Sequence, residues 1–423
     1  MVVLEFMNEL IEQNQEIAET FSAEEKTQRK KDIILVQPII WSMILTSVCV
    51  FGRDSFLSSL SLPDFFYHAV RYGIPAALLV YAFCFIDKKY IIWFSGLALF
   101  LGTSYSFAFI QDNFLREELF LYIITTFLIC IPATIFVASI KNYEILYSAL
   151  KICSFIVSGI SIYYIFNRTD ILYSMSASYQ ILWCSVLHVN EVFIKDKDYK
   201  SRLFYIALSI FEFSAIFIRG ARGPLVCFMF YVLCKVIIEA RRRRSNSFIL
   251  AGLVIVGIFA AVNLTVLEEW GGDKLDQMGL YSRNLNSLLT ETIFDESERE
   301  ILRDQAYELI QEKPFLGYGA SSDAKLLNGK YVHSLPLELA MDFGIIVGGG
   351  IFLVVCALVI RTLFSESSIK RDLKLIFLTE GFVMLFMSGT YLQSVFFFAF
   401  IGLAISDEYE KKGRTTTAMV AGT

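Results

Sequence analysis

The run LPLELAMDFGIIVGGGIFLVVCALVI, residues 335–360, holds only two charged side chains, Glu338 and Asp342, over a length that exceeds the roughly 20 residues a helix needs to cross a bilayer. It reads as a membrane span, and the rest of the chain repeats the pattern. Of 423 residues, 56% are hydrophobic and 19% charged, with 39 Phe and 21 Tyr. A soluble chain carries about a quarter charged residues. At about 20 residues per span, the apolar content suffices for on the order of twelve helices.

Apolar runs place spans near Ile33–Phe51, Phe66–Ile86, Ile91–Ile110, Leu119–Ile140, Leu146–Phe166 and Ile171–Ile194. The second half places them near Leu203–Ile218, Gly223–Ile238, Phe248–Leu267, Leu335–Ile360, Leu375–Gly389 and Tyr391–Ile405. The chain thus divides into an N-terminal tail 1–32, spans one to nine over 33–267, a long loop 268–334, spans ten to twelve over 335–405, and a tail 406–423. The predicted fold is an all-α polytopic membrane protein.

A net charge of -5 offers no electrostatic case for nucleic acid. Cys49, Cys84, Cys130, Cys184, Cys227, Cys234 and Cys356 lie in or beside apolar runs without a CxxC pair, so they read as small hydrophobes. The polar first thirty residues lack the basic start and short apolar stretch of a cleaved signal peptide.

Short cytoplasmic loops retain Lys and Arg. One side collects Lys26, Arg29, Lys30 and Lys31, then Lys88 and Lys89, Lys195, Lys197, Lys200 and Arg202, Arg241 to Arg244, Lys370, Arg371 and Lys374, and finally Lys411, Lys412 and Arg414. This places both termini in the cytoplasm. Arg241 to Arg244 read as a topology anchor rather than a nucleic-acid patch, and Asp196-Lys197-Asp198 as a solvated loop rather than a metal motif.

Against that bias, the outer turn Arg219-Gly220-Ala221-Arg222 carries two arginines. Snorkelling from a helix end is the bland explanation. An anion site is the functional one, because Gly220 and Gly223 let backbone N–H groups approach a ligand, Pro224 suits a first helical turn, and a helix start beside arginine attracts phosphate. In the long outer loop, Ser297-Glu298-Arg299-Glu300 is a capping box that predicts a helix from Glu298 to about Gln311. Leu302, Ala306, Leu309 and Ile310 share one face of it; Glu300, Asp304, Gln305, Glu308 and Gln311 share the other. Arg299 and Arg303 fall on the apolar face and require an anionic partner, either carboxylates such as Glu338 and Asp342 or a phosphate.

Three histidines occur. His68 and His188 read as structural. His333 stands at the outer interface next to the arginine-bearing loop, where an imidazole of pKa near ~6.5 suits deprotonation of a hydroxyl. Neither GxxxxGK[ST] nor GxGxxG after a strand is present, and no metal-ligand cluster faces outward. A donor that brings its own leaving group, a lipid phosphate or pyrophosphate, fits these parts.

Taken in order, Gly220-Ala221-Arg222-Gly223, Arg299, Pro314-Phe315-Leu316-Gly317-Tyr318-Gly319, His333-Ser334, Leu337 and Phe343-Gly344-Ile345-Ile346 resemble the O-antigen ligase and Wzy-type polymerase family of bacterial envelope glycosyltransferases. The likeness runs over roughly Leu203–Ile360; the first six spans resemble the family in hydropathy alone. It implies a metal-independent, GT-C-like enzyme of the bacterial cytoplasmic membrane, without cofactor, acting at the outer face. It further implies an undecaprenyl-pyrophosphate-linked glycan as donor, with a chain-length regulator and a flippase as partners. Arg222 and Arg299 match the family's pyrophosphate-binding arginines, and His333 the histidine that assists the acceptor hydroxyl. Arg219, Arg303 and Tyr318 are the additional substrate-binding candidates. The chain departs from the family pattern at Ser334, where Asn is usual, and at Arg303, where an aromatic is commoner.

Within that family the His333–Gly344 segment favours a polymerase, which joins lipid-linked repeat units, over a ligase, which transfers glycan to a lipid core or protein. A transporter reading rests on Glu212 and Glu380 inside predicted spans, but the chain shows no internal repeat. A structural scaffold is the third class.

Overall fold

The computed structural model describes residues 22–52, 63–112, 122–167, 174–194, 197–219, 222–242, 297–364 and 368–406. Within them the chain is all-helical. Helix α1 (Ala23–Ser47) starts at a capping box in which Ser22 Oγ accepts the Glu25 N–H at 3.3 Å and Glu25 accepts the Ser22 N–H at 2.8 Å, satisfying two donors that a helix start otherwise leaves open. It is followed by α2 (Asp64–Phe83), α3 (Ile91–Ile110), a π turn (Ile124–Cys130) running into α4 (Ile131–Ser139), α5 (Tyr143–Asn167), α6 (Met175–Phe193), α7 (Tyr199–Arg219) and α8 (Arg222–Arg242). The C-terminal part holds α9 (Ser297–Glu312), the short α10 (Ser322–Leu326), α11 (Leu335–Leu363), α12 (Ile369–Leu378) and α13 (Val395–Ser406).

Eleven of the twelve expected spans overlap helical stretches of the described residues; Phe248–Leu267, and residues 119–121 and 171–173, lie outside them. Five helices among the described residues are long and apolar enough to cross a membrane: Ala23–Gly52, Lys88–Ile110, Tyr143–Asn167, Arg222–Ala240 and Leu335–Leu363. The expected span Leu375–Gly389 is not one regular helix. After Leu378 the chain passes through a π segment (Thr379–Val383) and a 3-10 turn (Met384–Phe386), then leaves helical conformation at Gly389 (φ 80°). Periodicity of apolar residues does not report such changes of helical pitch.

The two largest apolar clusters among the described residues form the body of the core. One joins α1, α5, α6, α8 and α12 around Trp183, Tyr231, Phe377 and Phe400; the other joins α3, α4, α11 and α13 around Tyr105, Phe343 and Phe398. Large side chains such as Ile92, Val80 and Leu353 point outward instead, as lipid-facing residues do.

Ion pairs gather at one end of the bundle. Lys31 bonds Asp87 at 2.5 Å, and Asp32 accepts the backbone N–H of Lys141 (3.3 Å) and Asn142 (2.9 Å). Lys235 meets Asp372 at 3.0 Å and Glu239 at 3.5 Å, Arg371 meets Glu239 at 3.6 Å, and Glu191 receives both Lys197 and Lys151. Lys31, Lys197 and Arg371, three of the basic residues expected on one side of the membrane, are tied to carboxylates there.

Candidate functional site

At the opposite end, a strap and a kink shape the rim. Helix α11 bends at Gly344, whose φ of 77° and ψ of 167° are non-helical. The bend breaks the helical ladder, and the strap Pro314–Gly319 supplies the replacements: Tyr318 N–H donates to Met341 O (2.7 Å), Gly319 N–H to Asp342 O (3.0 Å), and Ile345 N–H to Pro314 O (2.7 Å). A side chain at Gly344 would run into the Phe315 carbonyl, and one at Gly317 into Met341 and Asp342. The sequence pair Pro314–Gly319 and Phe343–Ile346 is thus one device, in which glycines allow close backbone approach. The strap is anchored to α3 through Ala320 N–H donating to Ser104 Oγ at 2.9 Å, Lys313 to Gln111 at 2.5 Å, and Lys325 to Asp112 at 2.9 Å.

His333 stands immediately before Ser334, the N-cap of α11. Its φ of 55° is left-handed, a conformation that costs a non-glycine residue about 1–3 kcal/mol and survives only where its surroundings hold it. Here Val332 and Leu335 are buried on either side, and Nδ1 of the ring lies 3.3 Å from the carbonyl of Met387. The Tyr331 ring packs on the imidazole with centroids 4.2 Å apart, and its hydroxyl lies 3.1 Å from Ser388 Oγ.

The start of α8 arrives at the same turn. Gly223 packs so closely that an added Cβ would strike the Tyr179 hydroxyl and lie 3.3 Å from Met387 Cβ. Arg222 and His333 therefore belong to segments that meet on Met387. Ser388 also bonds Met175 Sδ at 3.4 Å, bringing α6 to the turn. Arg219 closes α7, and Gly220-Ala221 lie outside the described residues.

Helix α9 spans Ser297–Glu312, one residue longer at each end than the capping box predicts. Leu302, Ala306 and Ile310 are buried against Leu327, Val332 and Met341, with Leu309 partly buried, while Glu300, Asp304, Gln305, Glu308 and Gln311 are exposed. Arg299 and Arg303 are half-buried. The helix thus docks on the residue next to His333 and carries both arginines along that rim. Glu338 and Asp342, the alternative partners for these arginines, accept hydroxyls: Glu338 from Thr390, Asp342 from Tyr391 at 2.8 Å and Ser322 at 3.4 Å. Among the described residues no group of three His, Cys, Asp or Glu side chains is arranged to hold a metal ion.

Tyr318 sits apart from the Met387 turn. Its hydroxyl donates to Glu312 at 2.9 Å and its ring lies under Lys313 at 4.4 Å. Burial, together with the Glu312 carboxylate, pushes the phenol up to about 12. His68 is exposed and stacks on Tyr72. His188 is fully buried and faces Ser154 and Glu212. Tyr331, Tyr179, Met387 and Ser388 were not singled out by sequence; their significance comes from residues far apart in the chain meeting at one turn.

Residues 205–354 match the family model described as O-antigen ligase, a segment that holds Arg222, Arg299, the strap, His333 and the Gly344 kink. No curated protein and no solved structure matches the chain.

Proposed function

From an O-antigen ligase domain over residues 205–354, in an all-helical membrane protein, we propose that the chain is a GT-C-like glycosyltransferase of about twelve spans with cytoplasmic termini. It polymerises undecaprenyl-pyrophosphate-linked repeat units into O-antigen, capsular or exopolysaccharide at the outer face of the bacterial cytoplasmic membrane. The observation that carries this reading is the meeting of the α8 start, next to Arg222, and His333 on the Met387 turn. Arg222 and Arg299, with Arg219 and Arg303 as further ligands, hold the donor pyrophosphate and offset the charge that builds on it as the glycosyl bond breaks. Tyr318, a further substrate-binding candidate, braces the strap at the far end of α9. His333 takes the proton of the acceptor hydroxyl as its oxygen bonds the anomeric carbon, and lipid pyrophosphate leaves. A chain-length regulator and a flippase act with it; the step needs neither metal nor cofactor.

The description of the matched family supports a second reading, transfer of the finished glycan to a lipid core or protein by the same chemistry. Arg222→Ala and His333→Ala, each at wild-type protein level, separate the two on a gel of surface polysaccharide. Loss of long chains with single units still attached to the acceptor marks a polymerase, and loss of all attachment marks a ligase. An unchanged ladder contradicts both.

A further inference from the structure

We propose that Tyr331 and the Met387–Ser388 turn are positioning elements that fix the tautomer and plane of the His333 ring, leaving Nε2 as its basic nitrogen. The role assigned to His333 rests on the function proposed above; the tautomer does not.

A carbonyl oxygen only accepts, so the contact between Nδ1 and Met387 O requires the ring proton on Nδ1. In a neutral imidazole the lone pair is then on Nε2, the nitrogen at the far side of the ring from the turn. The contact fixes one point of the ring, and rotation about it is checked by the Tyr331 ring at 4.2 Å. Tyr331 is itself pinned, because its hydroxyl meets Ser388, the residue after Met387. The two restraints therefore come from adjacent residues of a single turn. That turn also receives the start of α8 at Gly223 and α6 at Met175.

The backbone supports the same conclusion. His333 is one of four non-glycine residues with positive φ among the described residues, and it is placed where a long helix begins. A histidine kept in that conformation, with Nδ1 at the Met387 carbonyl and a tilted tyrosine ring packed against it, is oriented rather than merely accommodated. The remote position of Met387 and Ser388 explains why no local motif announces them.

The test uses the full chain in lipid nanodiscs with 15N-labelled histidine. Only His68, His188 and His333 contribute signals, so single substitutions assign them. The expected spectrum has neutral His333 protonated at Nδ1. Tyr331→Ala introduces the Nε2–H form, whereas Ser388→Ala and Tyr331→Phe, which lose the hydroxyl contact but keep the ring, introduce it only mildly. Turnover is measured on lipid-linked glycan extracted from cells lacking the protein. Tyr331→Ala lowers kcat about ten- to a hundredfold with KM within twofold, the signature of a misplaced group rather than a lost binding contact, and Tyr331→Phe restores most of it. An Nε2–H ring in the wild-type chain overturns the proposal, as does a Tyr331→Phe variant as impaired as Tyr331→Ala. Ser388→Ala keeps the spectral test open if Tyr331→Ala fails to fold. Wild-type turnover by His333→Ala would instead overturn the catalytic reading and leave the tautomer assignment to stand on its spectrum.

Discussion

Two histidines of this protein are held in opposite ways. His188, in the middle of the bundle, has Nε2 2.9 Å from Ser154 Oγ and Nδ1 3.0 Å from Glu212, which also accepts Ser158 at 2.5 Å. That is the bonding order of a serine hydrolase triad, yet His188 and Glu212 are both 0% exposed. Every polar atom of the set is turned inward, with Phe155 across the ring at 4.9 Å. His333 has a left-handed backbone and a half-buried position at the rim. Bonding pattern alone would choose His188 as the catalytic group; access and placement beside the arginine-bearing segments choose His333. A complete buried network specifies and stabilises a core, whereas catalysis requires a group that substrate can reach.

Substitutions break this contrast most sharply at His333. His333→Ala is expected to lower turnover about 10²–10⁴-fold, the usual worth of a general base, with unchanged yield and thermal stability. Arg222→Ala should cost about 10²–10³-fold through lost stabilisation of departing charge, and Arg222→Lys should recover only part, since a point charge replaces a bidentate donor. His188→Ala reverses the pattern. Leaving buried Glu212 with the Ser158 hydroxyl alone costs about 1–3 kcal/mol of stability, read as a lower Tm, while turnover per folded molecule stays near wild type.

The strap supplies smaller effects. Gly344→Ala places a side chain at φ 77° against Phe315 and should destabilise by about 1–3 kcal/mol. Tyr318 gives the mildest, pH-dependent one. Its phenol holds its proton in the folded chain up to about 12, above the ordinary value of about 10. Between those values the folded state binds more protons than the unfolded, so this contribution is complete below pH ~10 and is lost as pH rises towards 12. The alkaline decline in Tm should be shallower in Tyr318→Phe.

Much of this organisation was legible in the chain. A capping box and a 3.6-residue period are local signals, and they give helix α9 to within a residue at each end together with its buried face. The motifs Pro314–Gly319 and Phe343–Ile346 stood out, but that they clamp one another is a tertiary fact. The Met384–Gly389 turn was hidden inside an apolar run that reads as a continuous span. Its departure from α-helical pitch, and its pairing with Tyr331 and His333 more than fifty residues earlier, leave no trace in hydropathy.

The contrast between the histidines is tested most directly by release of lipid pyrophosphate per folded molecule from full-length protein in vesicles, supplied with lipid-linked glycan from cells lacking it. With His333→Ala and His188→Ala measured side by side, the account predicts a silent His333→Ala and a His188→Ala close to wild type. An active His333→Ala, or a folded but silent His188→Ala, would contradict it.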